Sequence, residues 1–275
     1  MIRLGLIGYP LGHSLSPKIH AAALTACGLD GEYSLFPIPP DDKQGLKLLL
    51  ERVRSGEIRG LNVTIPHKQN VIEFLDELRP SAKAIGAVNV IYMRDDKLIG
   101  DNTDAPGFLS DLENFLAGQS KIVNRKSAIV LGAGGSARAV VYALLNDDWN
   151  VTIAARRLGQ AEELARSFSN YQLQITNLQT FQPSNFQLIV NTTPVGMTPN
   201  VDQSPLPEHL TLPQHVVIYD LVYNPKETRL VKDARSQDLK AITGLGMLIE
   251  QAALAFELWT GEKISSEILW NAIDG

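Results

Sequence analysis

Lys68 and Asp104 are the residues in this chain whose types and setting could move a proton. Lys68 lies in LNVTIPHKQN and Asp104 in GDNTDAPGF, each just past an apolar run that reads as a buried strand. An ammonium and a carboxylate brought together in a cleft can share and relay one proton while hydrogen-bonding an oxygen on a small ring. Taken separately, each has a plainer reading, Asp104 as a helix N-cap and Lys68 as a solvated lysine at a helix start. Asn62 and Thr64, and Asn89 in GAVNV, add polar groups at strand ends, where open α/β sheets form their ligand crevices.

A helix mouth offers a second kind of chemistry. In GHSLSPKIH, Ser16 followed by Pro17 reads as an N-cap and first helical residue, and Ile19, Ala22, Ala23 and Leu24 carry the apolar period onward. One hydroxyl suffices for a cap. Ser14 is therefore either a solvated loop residue or a second hydroxyl at a helix end whose free amides and positive dipole favour a small carboxylate.

The third constellation is SAIVLGAGGSARAVVYALL, where Gly132, Gly134 and Ala137 have the spacing G-x-G-x-x-A after a strand-like run and at the start of a helical one. Glycines there permit a tight turn and the close approach of a pyrophosphate, and a small residue at 137 lets the helix pack against the sheet. Ala133, Gly135 and Ser136 join them as candidate cofactor contacts. The next strand, NVTIAARR, ends in Ala155, Arg156 and Arg157 and offers no carboxylate for a free ribose 2′-hydroxyl. Two guanidinium groups suit a 2′-phosphate instead, which points to NADP.

These residues need a frame. The runs RLGLIG, YSLF and GLNVT alternate with helical runs from Pro17, around GLKLLLERV and around NVIEFLDEL, followed by AVNVIYM and KLIGDNTD; the pattern predicts an α/β unit with a mostly parallel sheet. A helix is expected from Ala105 to Leu116, then a polar surface connection over AGQSKIVNRKS. A second α/β series follows, with a helical stretch from Met247 at its end.

A length of 275 residues with 44% hydrophobic content favours two domains. The formal net charge of -5, without any block of lysine and arginine, argues against nucleic acid or an anionic membrane surface as a partner. No apolar run reaches the roughly 18 residues of a membrane span, and MIRLGLIG has no signal-peptide pattern. The single cysteine, Cys27, in the first helical run, leaves no intrachain disulfide and fits a reducing, cytoplasmic setting. The five histidines lack ligand spacing, so no metal site is expected.

Taken in order, SLSP, NVTIPHK, GAVN, DNTD, GAGGSAR and TGLGMLIEQAA make the chain resemble the shikimate dehydrogenase family over essentially its whole length. The resemblance implies an N-terminal α/β substrate-binding domain over residues 1–104 and 247–275, and a Rossmann-type, doubly wound NADP-binding domain over 105–246. A C-terminal helical segment would return to the first domain, with the site in the cleft between the two. The resemblance also makes Ser14 and Ser16 carboxylate-binding serines and Lys68 and Asp104 the catalytic pair. It makes Thr64, Asn89 and Gln251 ligands of the substrate ring hydroxyls, sets Tyr223 of DLVYNP near carboxylate and nicotinamide, and brings the backbone at Gly246 to the nicotinamide.

The reaction so implied is the reversible, NADPH-dependent reduction of 3-dehydroshikimate to shikimate in aromatic amino-acid biosynthesis, and the resemblance allows a homodimer. The rivals are a broader quinate/shikimate dehydrogenase using NAD and a non-catalytic NADP- or shikimate-binding regulator. One departure stands out. Many members read N-R-T at the tip of the second Rossmann strand, with another arginine three residues on, whereas this chain reads Ala155, Arg156, Arg157 and then Gln160.

Overall fold

The computed structural model describes residues 1–117, 126–183, 186–208 and 210–274. The chain divides into two compact units, one of Met1–Gly107 with Ile249–Gly275, the other Phe108–Leu248.

The first unit carries β1 (Ile2–Gly8), α1 (Ser16–Ala26), β2 (Gly31–Pro37), α2 (Lys43–Arg54), β3 (Gly60–Val63), α3 (His67–Asn70), β4 (Glu77–Leu78), α4 (Pro80–Ile85), β5 (Val90–Arg94) and β6 (Lys97–Asp101). Its sheet runs β2-β1-β3-β5-β6-β4. β1 pairs in parallel with β2 and β3, with Leu4 opposite Tyr33 and Gly60. The sheet is mostly parallel, as expected, with β5 alone reversed, antiparallel to both β3 and β6. The cause is a tight hairpin. Asp95 and Asp96 take φ of 49° and 58° between the two strands, the left-handed pair that a two-residue turn of type I′ requires and that aspartate tolerates.

The helix expected around NVIEFLDEL is instead α3, a 3-10 turn at Val71–Phe74, and β4. Tertiary pairing overrides the apolar period there. The Asp76 backbone donates to Leu98 O at 3.0 Å, its carboxylate accepts from Leu98 N at 2.7 Å, and Arg54 holds the same carboxylate, which draws the chain to the sheet edge. Across the sheet, Leu46, Leu49, Leu50 and Val53 of α2 recur at helical spacing and pack on Ile7, Val63 and Ile91.

α5 (Asp104–Ala117) leads into the second unit, one residue longer at each end than expected. Most of the polar connection read over AGQSKIVNRKS, residues 118–125, lies outside the described residues. The unit then carries β7 (Ser127–Leu131), α6 (Gly135–Asn146), β8 (Asn150–Ala155), α7 (Leu158–Ser167), β9 (Gln174–Asn177), β10 (Leu188–Asn191), β11 (Val217–Asp220), α8 (Arg229–Arg235) and β12 (Lys240–Thr243). Its strands are parallel throughout in the order β12-β11-β10-β7-β8-β9. This is the doubly wound dinucleotide order, with the winding direction reversing between β7 and β10.

α9 (Leu245–Thr260) begins two residues before the expected Met247, and α10 (Ser266–Asp274) follows. Within the first unit, Trp259 of α9 lies over Gly60, where any Cβ would strike the indole. The indole Nε1 donates to Ile91 O at 3.3 Å, and Arg59 Nε donates to Trp259 O at 2.9 Å. That interlock, with Trp259 fully buried, anchors the returning segment. Among the described residues no helix is long and apolar enough to cross a membrane.

Candidate active site

β3 ends at Val63, and the chain turns through Thr64 into α3, which holds Lys68 with its side chain only 10% exposed. The turn is pinned at both ends. Thr64 N donates to Ile7 O at 2.8 Å, while His67 bonds Ile38 O through Nε2 at 2.7 Å. Lys68 O accepts from Val88 N at 2.8 Å. Opposite stands Asp104, at the first residue of α5, whose Oδ2 accepts from Lys68 Nζ at 2.6 Å. Asp104 is not the helix cap. Asn102 takes that task, its Oδ1 accepting from Ala105 N at 3.2 Å, which leaves the Asp104 carboxylate to the lysine.

Asn89 completes the group. Its backbone is fixed on both sides, N to Asp101 O at 3.0 Å and O from Val63 N at 2.8 Å, so the amide stands between β3 and β6. The side-chain oxygen accepts from Thr103 N at 2.7 Å. The amide nitrogen faces Asp104 Oδ1 at 2.9 Å, Thr103 Oγ1 at 3.0 Å and Gln251 Oε1 at 3.3 Å. An amide has only two hydrogens for these three acceptors, and the longest contact, to Gln251, is the one most readily exchanged for another ligand. Lys68, Asp104, Asn89 and Gln251 thus form one buried, directly bonded cluster.

At α1 the structure corrects the sequence reading. The helix starts at Ser16, Leu15 occupies the cap position, and Pro17 is the second helical residue. Ser16 N donates to Ser14 Oγ at 3.2 Å, so Ser14 is the hydroxyl bonded at this helix mouth and Ser16 caps nothing. Cys27 likewise follows α1 at its C-cap.

In the second unit, Gly132 follows β7 with φ of 110°, and a Cβ there would meet Thr192 Oγ1, so the fold itself requires glycine. Thr192 Oγ1 donates to Leu131 O at 2.7 Å and holds the turn from the β10 side. Gly134 is different. It is exposed and extended, and a Cβ there would meet nothing within 4 Å. Packing does not explain that glycine, whereas the approach of a ligand to the mouth of α6 does. Gly135 and Ser136 open that helix, whose N-cap makes no side-chain hydrogen bond, Ala133 lies in the turn, and Ala137 is fully buried against the sheet. These residues fit a dinucleotide pyrophosphate. Ala155 is buried at the end of β8, while Arg156 and Arg157 beyond it are exposed ahead of α7.

Tyr223 is half-buried on the segment after β11, and burial pushes its phenol pKa up. Asp220 anchors that segment, accepting from Asn191 Nδ2 at 2.8 Å, Thr228 Oγ1 at 2.6 Å and Val222 N at 3.1 Å. Its burial outweighs those donors and raises its pKa to about 6. Gly246 lies in the first turn of α9, where a Cβ would strike the Asp111 carboxylate.

Sequence reasoning missed Tyr33, whose hydroxyl donates to Asn62 Oδ1 at 2.7 Å, with Asn62 Nδ2 in turn donating to Asn89 O at 3.3 Å. It also passed over Thr103, Thr192 and Asp111. Only Thr103 had a usable signal, its place inside DNTD.

The comparisons with known proteins agree across the chain. Residues 6–91 match a family model described as the shikimate dehydrogenase substrate binding domain, 116–220 one for shikimate / quinate 5-dehydrogenase, and 244–273 the shikimate 5'-dehydrogenase C-terminal domain. The shikimate dehydrogenase (NADP(+)) of Bacillus subtilis is 39% identical over 98% of this chain and 96% of its own length. A crystal structure of a shikimate dehydrogenase in complex with NADP+ superimposes with a TM-score of 0.91 at 40% identity, covering 100% of this chain and 95% of that one. The Thermus thermophilus enzyme in complex with NADP(H) and shikimate does so at 0.86 and 39% identity, covering 99% and 98%. From the motifs, the two folded units and these relatives alike, the chain belongs to the shikimate dehydrogenase family.

Proposed function

We propose that the chain catalyses the reversible NADP-dependent interconversion of 3-dehydroshikimate and shikimate, with residues 1–104 and 247–275 binding the substrate and 105–246 the cofactor. The observation that carries this reading is the buried Lys68–Asp104 pair, held at 2.6 Å and braced by Asn89. NADP, when bound, exchanges a hydride with the ring carbon that bears the reacting oxygen. Lys68 gives a proton to that oxygen as the ketone is reduced and takes it back in the reverse direction, while Asp104 holds the ammonium in place and shares the proton. Asn89, Gln251 and Thr64 orient the ring hydroxyls, and Ser14 and Ser16 hold the carboxylate at the mouth of α1. The glycine turn from Gly132 to Ala137 takes the pyrophosphate, Arg156 and Arg157 the 2′-phosphate, and Tyr223 and the Gly246 backbone the nicotinamide end.

Cys27, the single cysteine, extends the reading to the reducing cytoplasm. The test is a matrix of NADP and NAD against shikimate and quinate. The reading expects the largest kcat/KM for NADP with shikimate. Equal or greater activity with NAD and quinate would favour the broader dehydrogenase, and no turnover in any cell of the matrix would leave a binding protein.

A further inference from the structure

Gly246 carries a constraint that cofactor binding does not explain. A Cβ on it would overlap Oδ1 and Cγ of Asp111, so the carboxylate presses against the first turn of α9 from α5. The other oxygen, Oδ2, accepts from Tyr219 Oη at 2.5 Å. Tyr219 is fully buried on β11, its ring edge-on to Phe108 with centroids 4.9 Å apart, and its hydroxyl lies beside the Met247 backbone amide in the first turn of α9. Burial, with the carboxylate beside it, drives the phenol pKa well above its usual value, so the group stays a neutral donor. One edge of the α9 entry is therefore clamped from a strand and from a helix. On the other side Gly244 lies against the Leu221 backbone so closely that it too admits no Cβ.

We propose that Asp111 and Tyr219 are positioning residues for hydride transfer, fixing the Gly246 peptide that meets the nicotinamide. The proposal rests on the NADP-dependent reading above. Neither side chain is assigned a contact with the cofactor; they act through the backbone they hold. A hydrogen bond to a carboxylate is among the stronger kinds, and its loss lets the turn shift at the end of the site where small displacements cost most.

The test compares NADP with 2′,5′-ADP, which shares the adenine end and lacks the nicotinamide. Tyr219→Phe removes one oxygen and keeps the ring against Phe108, and Asp111→Ala removes the carboxylate. Each should lower kcat severalfold and raise the KM for NADP about tenfold, while the inhibition constant of 2′,5′-ADP and the KM for shikimate stay within about twofold. Asp111→Asn keeps an acceptor for the phenol and should restore NADP binding to near the parent value. Equal weakening of NADP and 2′,5′-ADP, or unchanged KM values beside a lowered active fraction, would overturn the proposal and leave the pair a packing element. A parent enzyme that binds 2′,5′-ADP but shows no shikimate-dependent reduction of NADP would overturn the functional reading instead, and this proposal with it.

Discussion

The role proposed for Lys68 and Asp104 requires that both side chains be kept in place, and Asn89 and the backbone around Thr64 and Val88 hold them. Lys68→Ala should lower turnover by about 100- to 10,000-fold, the usual worth of general acid–base help, while shikimate affinity changes much less, because a proton donor acts chiefly in the transition state. Steady-state kinetics beside equilibrium shikimate binding check this, and a fall of tenfold or less would remove Lys68 from that role. At the other end, Arg157→Ala should lower the NADP to NAD ratio of kcat/KM severalfold, because only NADP carries the phosphate that a guanidinium grips. An unchanged ratio would place the phosphate elsewhere. The grouping of Lys68, Asp104 and Asn89 and the glycine turn after β7 could be read ahead of the structure because each lies in a short local motif, whereas their proposed roles await the experiments above. The Tyr33–Asn62 link was not, since its partners are 29 residues apart and neither type announces the other.

At the level of elements, the mouth of α1 joins local structure to the proposed binding of the carboxylate. Because Ser16 caps nothing, Ser16→Ala should leave the melting temperature near the parent value and raise the KM for shikimate; Ser14→Ala should lower both stability and affinity. Each hydroxyl lost to a charged carboxylate should cost about 1.5–3 kcal/mol in binding, read from the KM for shikimate and from thermal melts. One turn further along α1, His20 is fully buried and stacked on Tyr33, with ring centroids 4.4 Å apart. Burial lowers its pKa to about 3, against a smaller opposing pull from Asn62.

A base with a depressed folded pKa contributes stability that is whole above its unfolded value near 6.5 and is lost as the pH falls toward 3. His20→Phe, whatever it does to stability at neutral pH, should flatten that acid limb, narrowing the loss between pH 7 and pH 5 by about 2 kcal/mol in urea unfolding. The same slope in parent and variant would refute it. The elements themselves were mostly readable from periodicity, including β7 and β8 on either side of the glycine turn and α6. Two local features lay beyond it for one cause. The segment after α3 and the antiparallel β5–β6 pair are decided by contacts that no local period encodes, the Asp76–Leu98 pairing and a turn through two left-handed aspartates.

On the scale of the whole molecule, the doubly wound order of the second sheet and the first sheet with its one reversed strand frame the two kinds of chemistry proposed above, phosphate recognition at a glycine turn and proton transfer at a buried ion pair. Alternation of strands and helices announced two α/β units; the return of α9 and α10 to the first came only from family resemblance, because an amphipathic period says which face is buried and not against what. The central claim is that a hydride passes between the shikimate ring and NADP. Shikimate bearing deuterium on the carbon whose hydroxyl is oxidised, incubated with NADP and the enzyme, tests it most directly. The expected result is one deuterium on the nicotinamide ring of each NADPH formed, detected by mass spectrometry, together with 3-dehydroshikimate in equal amount. Deuterium found in solvent, or product formed without labelled NADPH, would contradict it.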